Sequence, residues 1–112
     1  MAKRGDCLKI NFDEYIEKIN SLPARQISKL DVILSDLEDY TYDAYEYIIE
    51  PPKITPKKSK SIIEDLKALL LNVNAIMDVL CELNHESEYM DRTKDFLGTM
   101  EDEIPGLIES IS

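Results

Sequence analysis

The stretch that decides the fold is IIEDLKALLLNVNAIMDVLCEL, which covers residues 62–83. Its apolar residues recur at alternating intervals of four and three, which places them on one stripe of an α-helix. Further apolar residues flank that stripe, so other helices must surround this one. The charged and amide residues between them interrupt the run of about 20 apolar residues that a membrane-spanning helix needs. We therefore predict the central helix of a bundle, with a buried stripe formed by Ile62, Leu66, Leu69, Val73, Ile76, Leu80 and Leu83.

A second stripe with the same spacing precedes the first one. Pro23 suits the first turn of a helix, where its missing N–H is not needed, and Pro51 and Pro52 end that helix. The connection to the next helix is short, which makes the two helices antiparallel neighbours. We predict a long antiparallel hairpin of helices over about 23–49 and 58–84. The second stripe consists of Ile27, Leu30, Leu34, Leu37, Thr41, Ala44 and Ile48.

The start of the central helix has two solutions in the sequence. Thr55 can serve as the N-cap of a helix that begins at Pro56. Alternatively, Ser61 and Glu64 have the spacing of a capping box and would start the helix later. These starts fall within the linker that the sequence predicts over residues 50–60, which is rich in proline and lysine.

A short helix is predicted near the N-terminus. Asn11 and Glu14 have capping-box spacing, which indicates a helix over about 12–20 that ends before Pro23. Residues 1–10 carry basic side chains without helical periodicity, and we predict that they form a flexible basic arm.

A C-terminal helix completes the predicted fold. Apolar residues return at three-and-four spacing from Leu97 to Ile111 and indicate a helix over about 92–110, which Pro105 must bend or restart. The polar residues before it predict a turn near 85–92, with one continuous helix as the alternative. The prediction is an all-α small helical bundle in which residues 11–112 form one domain, with the two shorter helices covering the hairpin.

The chain is strongly acidic. Its 112 residues include 13 Lys and Arg against 23 Asp and Glu, which gives a net charge of -10. Repulsion from phosphate at that charge disfavours direct nucleic-acid binding and docking on an anionic membrane, whereas a basic protein is attracted. Residues 1–8 lack the long apolar region of a signal peptide, so the expected location is cytoplasmic. Cys81 lies within the apolar helix and is expected to pack as a small hydrophobic residue.

The sequence contains no motif that indicates an enzyme. It has no Gly-rich phosphate loop and no Cys/His metal spacing, so we predict no catalytic residues, no metal and no cofactor. Glu82 and His85 have the Glu-x-x-His spacing of di-metal bundles, but such a site needs the motif twice and the chain has one histidine. We interpret this pair as a solvated helix end. An acid-lined metal-dependent enzyme remains an alternative, for which Glu64, Asp65 and Asp78 are the candidate ligands.

The unusual feature is an acidic segment within the predicted second helix. From Asp31 to Glu50 there are seven acids, four interleaved tyrosines and no lysine or arginine. Like charges at i,i+4 each destabilise a helix by a few tenths of a kcal/mol, and a surface shaped by stability alone intersperses lysines. Tyrosine is enriched at protein interfaces. We predict a partner-binding surface, with a merely solvated face as the alternative. Its residues are Asp36, Asp39, Tyr42, Asp43, Tyr45, Glu46 and Glu50.

These observations favour a non-enzymatic protein that sequesters or regulates a basic protein partner, for example a protein that itself binds nucleic acid. Inhibitors, immunity proteins and antitoxins are analogous in size and charge, but the sequence resembles none of them in its motifs. The alternative is a structural or assembly subunit that forms homo-oligomers such as a homodimer. Leu71, Val32 and Ile49 fall outside the predicted core stripes and would supply its apolar contact.

Overall fold

The computed structural model describes residues 5–83 and 85–112 and contains four α-helices. A 3-10 helix over Gly5–Leu8 precedes the first of them, and 3-10 turns over Ala24–Lys29 lead into the second. No strand occurs in the described residues, which confirms the predicted all-α small bundle. The helices are α1 (Asp13–Asn20), α2 (Leu30–Ile49), α3 (Pro56–Cys81) and α4 (Glu88–Ile111).

The predicted stripe of α3 forms the centre of the hydrophobic core. Its members from Ile62 to Leu80 are buried, and Leu83, beyond the end of the helix, is partly buried. Leu69 is fully buried whereas Leu71, off the stripe, is 71% exposed, so the three-and-four spacing identified the correct face. Cys81 is exposed, and the prediction that it packs in the core is wrong because its position falls beside the buried stripe.

The stripe of α2 also faces the core, although it contains a polar residue. Thr41 is fully buried, and its hydroxyl donates a hydrogen bond to the carbonyl oxygen of Leu37 at 2.9 Å. A threonine hydroxyl that bonds back to its own helix is satisfied without another partner. The side chain of Ile27, the first predicted member of this stripe, lies outside the part of the chain that the structure describes.

Helix α4 packs closely against both α2 and α3. Because residues 82–87 connect α3 and α4 and the two helices lie side by side, they run antiparallel. Helices α2 and α4 run parallel, since their mutual contacts advance in the same direction along both. These contacts, in order, join Asp31 to Ser87, Glu38 to Arg92 and Tyr45 to Phe96.

The N-terminal segment occupies the place where we predicted direct packing of α2 on α3. In the described part of the chain those two helices approach each other at most at isolated points, and the 3-10 helix Gly5–Leu8 contacts both. Leu8, Ile10 and Phe12 are buried in the core. Asn72 of α3 donates from Nδ2 to the carbonyl oxygen of Ile10 at 2.7 Å. Helices α2 and α3 are antiparallel, as predicted, and the N-terminal segment supplies contacts to both of them.

The same segment corrects the predicted arm over residues 1–10. Leu8 and Ile10 are buried in the core. Burial of two large apolar side chains stabilises the fold and holds this part of the segment against the helices. Residues 1–4 of the predicted arm lie outside the described residues. The helix that follows begins at Asp13, and Asn11 Oδ1 accepts a hydrogen bond from the Asp13 N–H at 2.8 Å. Asn11 is therefore the residue before the N-cap, Phe12, and its side chain accepts a hydrogen bond from the first residue of the helix.

Several helix ends differ from the predicted bounds. Helix α2 begins at Leu30, because Gln26 leaves helical geometry (φ -113, ψ 21) and divides the preceding residues into 3-10 turns. Helix α3 begins at Pro56 with Thr55 as its N-cap residue, the earlier of the two predicted starts.

Helix α4 begins at Glu88 and is separate from α3. Ser87 is its N-cap, and the serine Oγ accepts a hydrogen bond from the Met90 N–H at 3.1 Å. The helix continues through Pro105 to Ile111 and does not restart there. Within the described residues, no helix combines the length and the apolar character needed to cross a membrane.

Candidate functional site

The outer face of α2 lies opposite its buried stripe and carries the predicted binding residues. Asp36, Asp39 and Asp43 are exposed, as is Glu50 at the C-cap position. Tyr42 is 50% exposed. The fold therefore places these side chains together on one accessible surface. We call this surface the acidic face, and it consists of Asp36, Asp39, Tyr42, Asp43, Tyr45, Glu46 and Glu50.

The tyrosines of α2 occupy different environments. Tyr47 is buried in the core, whereas Tyr42 projects from the surface. Tyr45 is half-buried and stacks on Phe96 of α4, with ring centroids 4.4 Å apart and ring planes at 18°. Tyr45 therefore belongs to the acidic face and to the α2–α4 contact at once. A substitution of Tyr45 changes both, so Tyr42 is the cleaner probe of the surface.

Tyr40 forms the border of the acidic face toward α1. Its ring centroid lies 5.3 Å from that of Tyr15, and its hydroxyl accepts a hydrogen bond from the backbone N–H of Asn11 at 3.5 Å. Burial raises the pKa of Tyr15, and the negative charge of Asp36 raises it further. Tyr15 is protonated at neutral pH, as an ordinary tyrosine is, and adds no charge to this border.

A shallow depression of about 200 Å³ runs along the flank of the acidic face. Within it, the Tyr42 hydroxyl hydrogen-bonds to the Glu46 carboxylate one helical turn further on. That bond, together with the charge of Glu46, raises the pKa of Tyr42, because an ionised phenolate would face a carboxylate. We call this depression the tyrosine groove; its lining residues are Tyr42, Tyr45, Glu46, Ile49 and Glu50.

Ile49 is the residue that our predicted binding surface left out. Its side chain is 41% exposed and forms part of the tyrosine groove. The sequence signal was present, because Ile49 falls outside the core stripe of α2. The same exposure is what makes Ile49 a candidate contact of a homo-oligomer.

The ion pairs of α2 lie along its edge with α4. Arg92 Nη2 donates to both carboxylate oxygens of Glu38, at 2.9 and 3.0 Å. None of the ion pairs in the described part of the chain includes Asp36, Asp39 or Asp43. These three carboxylates therefore have no ion-pair partner among the described residues.

At the start of α2, Asp31 holds the turn that precedes α4. Its Oδ1 lies 3.1 Å from His85 Nε2 and accepts a hydrogen bond from Ser87 Oγ at 2.8 Å. The hydrogen bond from Ser87 holds the pKa of Asp31 below its usual range, and the contact with His85 lowers it further. The cluster ties the first turns of α2 and α4 together.

Ser87, His85 and Asp31 are the residue types of a hydrolytic triad, but their order is different. In such a triad the imidazole lies between the serine and the carboxylate and takes the serine proton. Here the carboxylate lies between the other two, and its lowered pKa makes it a weak base. The geometry serves to connect helices, and it does not activate the hydroxyl.

The interpretation of Glu82 and His85 as a solvated helix end is correct for Glu82, the exposed C-cap residue of α3, and wrong for His85. Helix α3 ends at Cys81, so the two residues do not share a helical face. Only Glu82 is exposed, while His85 is half-buried beside Asp31. The sequence spacing was misleading because the helix stops before His85.

No group of three or more His, Cys, Asp and Glu side chains within residues 5–83 and 85–112 is arranged to hold a metal ion. Glu64 and Asp78 of α3 are exposed and Asp65 is half-buried. An acid-lined metal site needs carboxylates that point inward from facing helices. The described residues contain no observation that favours the metal-dependent enzyme.

No protein-family model matches the chain. Comparisons with curated proteins and with solved structures also give no match.

Proposed function

We propose that this protein is a non-enzymatic binding protein that sequesters or regulates a basic protein partner through the acidic face. The observation that carries the proposal is a row of exposed carboxylates, Asp36, Asp39 and Asp43, beside the half-exposed ring of Tyr42. No ion pair of the described chain neutralises these three acids. Their mutual repulsion destabilises α2, and a positively charged partner surface would relieve it.

Two physical contributions to binding follow from this surface. The carboxylates attract a basic partner over distance and speed its association, an effect that weakens as salt screens charges beyond about 8 Å at 0.15 M. Tyr42 and Ile49 provide apolar area that loses water on contact, and aromatic residues carry a large share of interface energy. If the partner is a nucleic-acid-binding protein, the acidic face competes with phosphate for the same basic surface.

The proposed setting is the cytoplasm, without a cofactor and without a membrane or nucleic-acid partner. The exposed thiol of Cys81 is compatible with a reducing compartment. The net charge of -10 opposes contact with nucleic acid or an anionic bilayer.

The proposal is tested by capture of the partner with charge-matched variants. The double variant Asp39→Lys, Asp43→Lys changes the acidic face, and Asp95→Lys, Asp102→Lys makes the same change of net charge at exposed positions of α4. Immobilised wild-type protein and the α4 variant should retain the same basic protein from a native lysate. The α2 variant should lose it. Retention by all three proteins would contradict the proposal.

Binding rates of the captured partner separate the two contributions. The Asp39→Lys, Asp43→Lys variant should slow association and flatten its salt dependence, because the long-range attraction is reversed. Tyr42→Ala should mainly speed dissociation, because it removes contact area and no charge. If neither the rates nor the salt dependence change while the helix content is retained, the acidic face is only a solvated surface.

A second candidate function is a homo-oligomeric structural or assembly subunit. Leu71 on α3 and Val32 on α2 are large apolar residues that are 71% and 64% exposed. A symmetric dimer through the acidic face would bring carboxylates of the two copies together, so the contact is expected at the exposed apolar residues instead, of which Leu71 is the most exposed. Light scattering under reducing conditions should then give a dimer mass that Leu71→Ser lowers to the monomer. A monomeric wild-type protein would exclude this function.

A further inference from the structure

The outer side of α3 carries a second periodic stripe, whose members are all exposed. They recur at alternating intervals of four and three, so they form one line along the helix, opposite the buried stripe. Leu71 lies near the middle of this line and is 71% exposed. We call this line the outer stripe of α3, and it consists of Lys60, Glu64, Lys67, Leu71, Asn74 and Asp78.

The two halves of α3 on either side of Leu71 carry opposite charges. Before Leu71 the helix has four lysines and two acids, Glu64 and the half-buried Asp65, so this half is basic. After Leu71 the charged residues are Asp78 and the C-cap residue Glu82, so this half is acidic. None of the ion pairs in the described part of the chain includes a side chain of α3. Both halves are therefore accessible to the charges of another molecule.

The acidic half of α3 adds to negative charge on α4. Burial raises the pKa of Glu101 on α4, and the charges of Asp102 and Asp78 raise it further. Carboxylates that repel each other in this way gain from a cation placed beside them. A lysine next to Asp78 would supply that cation.

We propose that the outer stripe of α3 binds a second copy of this chain, with the two α3 helices antiparallel across a two-fold axis. This inference rests on the second candidate function and names the surface and the orientation of the contact. The two-fold axis brings the basic half of each helix onto the acidic half of the other, so each attraction occurs twice. A parallel pair would set like charges against each other.

A second copy fits this surface better than a partner of one charge. A uniformly basic partner is repelled by the lysines before Leu71, and a uniformly acidic partner is repelled by the acids after it. An antiparallel copy of α3 complements both halves at once. Charge thus selects the occupant, and the exposed Leu71 supplies the apolar area at the centre of the contact.

The register follows from the charges of the outer stripe. If Lys67 of one copy lies opposite Asp78 of the second copy, opposite charges meet at both ends of the contact. A register that sets Lys60 opposite Glu82 would also set Glu64 against Asp78, which is repulsive. The Lys67–Asp78 register is therefore the favoured one.

This register also brings apolar residues together. The two-fold axis then passes between positions 72 and 73, so the two Leu71 side chains lie about 4.5 Å apart along the helix axes, at about 1.5 Å per residue. At that spacing they contact each other. Ala68 and Ala75 are exposed beside Leu71, and their small side chains allow the helices to approach closely.

The contact should be weak and reversible. One helix from each copy buries an area at the low end of protein interfaces, below about 1,200 Å². Two copies that each carry a net charge of -10 also repel each other at a distance. Salt at about 0.15 M screens charges beyond about 8 Å, which reduces this repulsion more than the attraction between side chains in contact.

The proposal is tested by sedimentation equilibrium of the full chain at that salt concentration, over a series of protein concentrations. Reducing agent prevents a disulfide between the exposed Cys81 thiols. Wild type should form a dimer as the concentration rises. Lys67→Glu and Asp78→Lys should each raise the dissociation constant of the dimer at least about tenfold, because each sets like charges opposite each other twice.

An equimolar mixture of the two single variants tests the antiparallel pairing itself. In a dimer with one copy of each variant, opposite charges again meet at both ends of the contact. The mixture should therefore dimerise about as tightly as wild type, although each variant alone does not. Lys29→Glu and Asp95→Lys make the same changes of net charge at exposed positions outside α3 and should leave the dissociation constant unchanged.

The outcomes separate this proposal from the functions on which it bears. If the mixture does not regain the lost affinity, or if the control variants weaken the dimer as much, the antiparallel contact is wrong. If Leu71→Ser gives a monomer but Lys67→Glu and Asp78→Lys change nothing, the second candidate function stands with a different geometry and the proposal is overturned.

A wild-type protein that stays monomeric at every concentration would overturn both the proposal and the second candidate function. The acidic face shares no residue with α3, so capture of a basic partner remains a separate test of the first function. Retained helix content in circular dichroism shows that each variant is folded.

Discussion

Helices α2 and α3 bury similar apolar stripes but carry very different outer faces. Helix α3 contains four lysines and three acids, whereas α2 contains six acids and neither lysine nor arginine. On α3, Glu64 lies four positions after Lys60 and three before Lys67, the spacings at which opposite charges stabilise a helix. On α2, Asp39 and Asp43 are four positions apart and repel each other.

The difference shows which properties of α2 are required for folding. Both helices bury their stripes against α4, so the core determines the inner side of each helix in the same way. Because α3 achieves this with mixed charges on its outer side, burial of the stripe does not require the acids of α2. Helix α3 therefore shows that a helix of this bundle can bury its stripe while its outer side carries charges of both signs.

The largest expected effect on the free energy of unfolding comes from the buried stripe, which both helices have. Leu69→Ala should lower the free energy of unfolding by about 2–5 kcal/mol, the range for large-to-small substitutions in a core. Leu71→Ala, two positions away and exposed, should change it by about 0.5 kcal/mol or less. Urea unfolding followed by circular dichroism measures both. Equal losses would mean that α3 does not bury the face seen here.

The inner sides of the helices could be predicted from the sequence because helical periodicity is a local property. The stripe of α3 needed only the spacing of its apolar residues. The contacts of the N-terminal segment with both α2 and α3 could not be predicted in this way. Leu8 and Ile10, which enter the core next to both helices, are two apolar residues around Lys9 and have no periodic pattern.

The outer side of α2 was partly predictable for the same reason. The exposure of Asp39 and Asp43 follows from their position opposite the stripe. The stack of Tyr45 on Phe96 and the contacts of Asp31 do not, because they join residues more than 50 positions apart in the chain. Such contacts depend on which helix becomes the neighbour, and sequence spacing within one helix does not contain that information.

Asp31, like Glu38, is an acid of α2 that bonds to a residue of the α4 region, and its removal should have an intermediate effect. Asp31→Asn should destabilise the protein by about 1–2 kcal/mol at pH 7, because it weakens charge-assisted hydrogen bonds. The pKa of Asp31 is lowered in the folded state, so its stabilisation is complete above the unfolded value of about 3.9. It is lost as the pH falls through the lower folded value.

The exposed Asp39 serves as the control for Asp31. Asp39→Asn should change the free energy of unfolding by about 0.5 kcal/mol or less. Urea unfolding at a series of pH values from 7 to 3 checks both expectations. The difference between wild type and Asp31→Asn should shrink below pH 4. A difference that stays constant down to pH 3, or equal effects of the two variants, would show that the charge of Asp31 does not stabilise the α2–α4 contact.

The smallest expected effect compares the outer faces directly by placing lysine on each helix. Asp43→Lys removes repulsion from Asp39 and Glu46 and creates an acid-to-lysine pair at i,i+4, so it should stabilise the protein by a few tenths of a kcal/mol. Glu64→Lys makes the same change of net charge but sets three lysines together, at positions 60, 64 and 67, and should destabilise by a similar amount.

Because both substitutions move the net charge from -10 to -8, any general effect of charge on folding is common to the two variants. The sign of the difference in unfolding free energy, measured at low ionic strength, therefore reports on the local pattern alone. A gain for Asp43→Lys that disappears in 1 M salt would show that the acids of α2 oppose folding through their charge. If Asp43→Lys instead destabilises the protein as much as Glu64→Lys, those acids serve the fold. The contrast with α3 would then no longer support a binding surface.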